Sequence, residues 1–146
     1  MHSGFKFIFI GAALVAGIFA SDVIFQPSQS EPTSLAPSLD DHCMLTSAPC
    51  KQDNAVMTID RDTVHPLIPV TLEVEWPDSE SDSLQLSLEG HEMDMGAPRF
   101  ILKRTDGNLF SGEIILPVCT QESMIWTGKL TDGAHTVFPA IRMSHE

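Results

Sequence analysis

The sequence predicts an all-β domain, a sandwich of about seven strands of immunoglobulin or cupredoxin type, carried behind an N-terminal hydrophobic helix and a disordered tether. Three observations predict it. Apolar and polar residues alternate along several short segments, turn residues punctuate the gaps between them, and no amphipathic helix is legible beyond the first 25 residues. The 146 residues leave room for one domain of ordinary size once the leader is set aside.

The leader comes first. Phe7 to Ala20 is an uninterrupted apolar run with Lys6 in front and the first acid at Asp22. It is short for a membrane span and fits a signal-peptide core, while Phe5–Phe25 as a whole is long enough for a single anchor. Residues 1–25 are therefore read as signal peptide or membrane anchor, with both alternatives open. Lys6 favours a cytoplasmic N-terminus, which sends the remainder across the membrane. The expected location is periplasmic, with the domain tethered to the inner membrane by this segment.

Residues 26–41, QPSQSEPTSLAPSLDD, are rich in Pro and Ser and nearly free of large apolar side chains. Such a segment cannot bury enough surface to offset its ordering entropy, so it reads as a linker. The domain is expected over 42–146. Cys43 and Cys50 open it in DHCMLTSAPC, and Cys119 is the third cysteine. Three cysteines allow three pairings. Cys43–Cys50 is the favoured disulfide because it is local, and it leaves Cys119 free.

The strands follow. Val70, Leu72, Val74 and Trp76 alternate with Thr71, Glu73 and Glu75, and Leu84, Leu86 and Leu88 repeat the two-residue period. Further strands are expected at Val56–Asp60, Phe100–Arg104, Leu109–Leu116, Met124–Leu130 and Thr136–Met143. Pro77-Asp78, Asp106-Gly107-Asn108 and Asp132-Gly133 mark turns between them.

Charge narrows the function. Twenty acids against eight Lys+Arg give a formal net charge of −12. A basic face for nucleic acid is excluded by this balance. Gly-rich phosphate loops, the G-x-S-x-G elbow and the H-E-x-x-H pair are missing, and Cys43 and Cys50 are not a C-x-x-C. The expectation is a binding module and no enzyme.

The most informative segment is Gly90-His91-Glu92-Met93-Asp94-Met95-Gly96. If extended, it puts His91, Met93 and Met95 on one face, opposite Glu92 and Asp94. An imidazole and two thioethers are soft donors suited to Cu(I). Thioethers carry no proton and keep binding where thiols have been oxidised. Cys119 and Met124 in PVCTQESMIW are candidate additional ligands, and Met143-Ser144-His145 spaces another thioether and imidazole by two. Against each stands an ordinary role: Met as core filler, Cys119 as a small buried hydrophobe, Trp126 as the packed tryptophan of the sandwich. His42, His65 and His135 read most simply as surface or loop residues.

Taken together, the N-terminal anchor, the C-x6-C loop with Ala48-Pro49-Cys50, Met93-Asp94-Met95-Gly96 and the later Leu116-Pro117-Val118-Cys119…Met124-x-Trp126 resemble small membrane-tethered periplasmic proteins near the YtkA-like and FixH-like families. The resemblance covers roughly residues 42–130. It implies an immunoglobulin-like sandwich and a role in copper handling or respiratory oxidase assembly, with Met93, Met95 and Cys119 as ligands and a membrane respiratory complex or copper-trafficking protein as partner. The chain is also similar to periplasmic copper chaperones that gather His and Met on a cupredoxin-like sandwich, without their long motif spacing. The alternative function is a non-metal assembly module that offers the Met93/Met95 edge to a protein partner. A third, a thiol-active redox partner, would use Cys119.

Overall fold

The computed structural model describes residues 37–146, so the leader and most of the linker lie outside the described residues. The described part is almost entirely β. Its strands are β1 (Cys43–Met44), β2 (Cys50–Gln52), β3 (Ala55–Ile59), β4 (Val70–Glu75), β5 (Ser83–Gly90), β6 (Arg99–Asp106), β7 (Leu109–Ile114), β8 (Ser123–Thr131), β9 (Thr136–Val137) and β10 (Pro139–Ser144). Seven of these have five or more residues, and they coincide with the seven segments of alternating pattern. The last expected strand, Thr136–Met143, is broken at Phe138 into β9 and β10. Within the segment read as linker, Leu39–Asp41 forms a 3-10 turn, closed by Ser38 and Asp41 bonding each other reciprocally.

The strands pair in the order β1-β10-β8-β5-β6-β7-β4-β3-β2, with β9 added to β8. Every pair is antiparallel except β1 with β10. Cys43 in β1 and Cys50 in β2 are disulfide-bonded, with their Cα atoms 6.0 Å apart. Because β1 and β2 are the two ends of the order, the sheet must curl until its edges meet. The result is a sandwich or barrel-like fold with no long open edge.

The two-residue period decides what lies inside. β4 alternates buried and exposed along its whole length, and Leu84, Leu86 and Leu88 of β5 are wholly buried. Trp126 and Phe110 are the largest fully buried side chains. Each such aliphatic or aromatic residue contributes roughly 1.5–3 kcal/mol by leaving water. Trp126 fills the packed-tryptophan role, although its Nε1–H finds no partner among the described residues. Arg104 lies 4.4 Å from the centre of the Phe110 ring and donates to the carbonyls of Ser79, Ser81 and Gly107, which ties the β4–β5 connection to the β6–β7 hairpin.

The pairing also sorts the loops. β3, β5, β7 and β10 end where β4, β6 and β8 begin. One pole of the fold therefore carries the connections 45–49, 60–69, 91–98 and 115–122 together with the C-terminal tail.

Candidate functional site

Every residue singled out for soft-metal chemistry falls at that pole. His91, Met93 and Met95 are on the 91–98 connection, Cys119 is on the 115–122 connection, and Met124 is at the start of β8. The strands bring these separate stretches of sequence to one end of the molecule.

The 91–95 segment differs from the extended strand expected of it. β5 stops at Gly90, and residues 91–93 bend away. The reason lies in the pairing with β8. The backbone N–H of His91 still donates to the Ile125 carbonyl at 2.8 Å, but the next rung is made by a side chain: the Ile125 N–H donates to Glu92 Oε2 at 2.9 Å. A carboxylate has replaced a backbone carbonyl, so the strand is released and the chain turns. Gly96 completes the turn at φ 75°, and its N–H donates to Asp94 Oδ1 at 3.0 Å.

The residues of this segment differ in exposure. Met93 and Met95 are half-buried against the hydrophobic core, whereas His91, Glu92 and Asp94 are exposed. Met124 is fully buried. A Cβ at Gly90 would collide with both the Met124 methyl and the Met93 carbonyl oxygen, so the absence of a side chain there lets Met93's backbone settle close to the Met124 thioether. An open hollow of about 450 Å³ lies at this loop, lined among others by His91, Met93 and the carboxylate residues Glu89, Glu92 and Asp94. The three acids give the hollow a negative field that favours cations.

A second grouping forms on the other side of β8. Met143 of β10 is paired with Met124, and both are buried. Just beyond, the His145 N–H donates to the Glu122 carbonyl at 2.9 Å and brings its ring over Cys119. His145 Nε2 is 3.7 Å from Cys119 Sγ and donates to the Cys119 carbonyl at 3.0 Å. Cys119 is the free cysteine, 5% exposed, and its thiol donates to the Gln121 carbonyl at 3.3 Å. Nothing in the local sequence orients a histidine on Cys119, because the contact spans 26 residues. His65, read as a simple loop residue, is likewise drawn in: its Nδ1–H donates to the Ser144 carbonyl at 2.9 Å.

Among the described residues, no three His, Cys, Asp or Glu side chains are grouped so as to hold one metal ion. A metal at this pole would therefore draw on thioethers or on fewer than three such donors.

The same pole exposes apolar side chains. Leu67 is 63% and Val118 53% exposed, joined by Ile68 and Ile115. Leu67 sits at φ 60°, an uncommon conformation for a residue with a side chain, and its N–H is held by the Leu116 carbonyl at 2.9 Å.

No family model matches this chain, and no curated protein matches it significantly.

Proposed function

We propose that this protein is an exported module that holds or delivers Cu(I) through thioether and imidazole donors at one pole of the sandwich. The observation that carries the reading is the arrangement of the 91–98 loop. Met93 and Met95 pack half-buried against the core, the Met93 carbonyl and the Met124 methyl both close in on Gly90, and Met93 lines a hollow together with Glu89, Glu92 and Asp94. Thioethers favour a soft monovalent ion over Mg(II) or Ca(II), and the carboxylates attract any cation into the hollow without defining its identity. His91 at the rim is the donor best placed to exchange with solvent or a partner.

The proposed setting is the periplasm, with the domain tethered to the inner membrane by residues 1–25 and handing copper to a respiratory complex or a copper-trafficking protein. The Cys43–Cys50 disulfide fits an oxidising compartment, where thioethers keep their affinity. Titrating the full chain with Cu(I) against a competing chelator tests the proposal. Met93→Ala combined with Met95→Ala should weaken binding strongly. Unchanged Cu(I) uptake in that double variant, in both affinity and number of ions bound, contradicts it.

A second reading, a non-metal assembly module, is favoured by the exposed Leu67, Ile68, Ile115 and Val118 at the same pole. In that case a partner would stay bound after metal chelation and after loss of Met95.

A further inference from the structure

We infer that Cys119 and His145 form a second soft-cation site, a thiolate–imidazole pair that takes Cu(I) on the far side of β8 from the 91–98 loop. It rests on the soft-cation reading of this pole, but not on Met93 or Met95.

The sulfur and the ring nitrogen come from different elements, the 115–122 connection and the end of β10, and they lie 3.7 Å apart. That spacing has chemical meaning. An ion about 2.3 Å from a thiolate sulfur and about 2.0 Å from an imidazole nitrogen would subtend an angle of about 120° at this separation, a trigonal arrangement. The two donors are held near this spacing by backbone contacts. The His145 N–H is fixed to the Glu122 carbonyl, and β10 is paired with β8 through Ser144 and Ser123.

The protonation change is simple. In the free protein the thiol proton points to the Gln121 carbonyl and the Nε2 proton to the Cys119 carbonyl. On binding, the thiol proton leaves to solvent, the ring proton moves from Nε2 to Nδ1, and the exposed ring turns away from the Cys119 carbonyl, so that Sγ and Nε2 both present lone pairs to the ion. His145 is exposed while Cys119 is buried, which makes the imidazole the movable half and the sulfur the fixed one. Zn(II) ordinarily asks for three or four protein ligands. Two donors, one of them a soft thiolate, suit Cu(I) better and leave a position for a third donor from solvent or a receiving protein. Cys43 and Cys50 are already bonded to each other, so Cys119 remains the free thiol among the described residues.

The test is the stoichiometry of Cu(I) bound by the full chain in competition with bicinchoninate. It is measured for the wild type, Cys119→Ser, His145→Gln and the Met93→Ala/Met95→Ala double variant. Cys119→Ser and His145→Gln should each lose one equivalent that the double variant retains. X-ray absorption on the double variant should show one thiolate sulfur and at least one imidazole nitrogen. Because His145 is exposed, His145→Gln reports on the site even if Cys119→Ser disturbs packing. Wild-type stoichiometry in both single variants overturns the inference while leaving the 91–98 reading in place. Absence of Cu(I) binding in the wild type overturns both. Equal retention of Zn(II) by the double variant overturns the assignment of the pair to Cu(I).

Discussion

Cys43 and Cys50 bond the first and last strands of a nine-strand order, so a loop closed over only seven residues of sequence separation also closes the whole sheet. Neither edge strand is longer than three residues. The covalent link does what longer edge pairing would otherwise have to do.

Removing that link should destabilise the domain. Cys43→Ser with Cys50→Ser is expected to cost roughly 2–3 kcal/mol from loop closure in the unfolded chain alone. A denaturant midpoint compared with that of the wild type measures it. An unchanged midpoint would mean that β1 and β2 hold without the disulfide.

Gly90 and Gly96 should respond differently to alanine. At Gly90 the added methyl collides with the Met124 methyl and the Met93 carbonyl, so Gly90→Ala should cost about 1–3 kcal/mol and displace the 91–98 loop. At Gly96 nothing lies nearby, and the cost is backbone strain at φ 75°, on the order of 1 kcal/mol. Thermal melts of both variants decide the order. If Gly96→Ala proves the more damaging, the close approach at Gly90 is not what fixes the loop.

Arg104→Lys should not be conservative. The guanidinium stacks on Phe110 while donating to three carbonyls, and an ammonium cannot reproduce that planar fork. A loss of about 1–3 kcal/mol is expected, read from urea midpoints. A variant as stable as the wild type would reduce Arg104 to a surface residue.

Acid should weaken the fold through specific carboxylates. Burial of Asp132 works against its ionisation, but the N–H groups of His135 and Ala134 and the Ser79 hydroxyl outweigh this and hold its carboxyl below the usual range. Asp62 is lowered by the Ser47 N–H and hydroxyl. A carboxyl lowered in the folded state adds stability that is fully present above its unfolded value, near 3.9. That contribution is lost as pH falls through the folded value. Denaturant midpoints should therefore drop below about pH 4, and Asp132→Asn should flatten that dependence. An Asp132→Asn profile parallel to the wild type would remove Asp132 from the account.

The fold was legible because its information is periodic and local. Val70 to Trp76 declares a buried face by alternation alone, and Asp106-Gly107 declares its hairpin. The 91–95 segment was less so. Its composition pointed to soft chemistry and to this pole, but the departure from strand geometry depends on Glu92 reaching Ile125, 33 residues away. The Cys119–His145 contact was out of reach for the same reason: it is created by β10 pairing with β8, and neither residue carries a local pattern that announces the other. Phe138 interrupts the final strand because its N–H turns to the Gln52 side chain, again a contact between distant parts of the chain.

The most direct measurement is the methyl NMR spectrum of the full chain, labelled at the methionine ε-carbons, before and after saturation with Cu(I). Of the seven methionine methyls, those of Met93 and Met95 should move, whereas that of Met57, buried in β3, should stay in place. Stationary Met93 and Met95 signals in the presence of bound Cu(I) would contradict a thioether site on this loop.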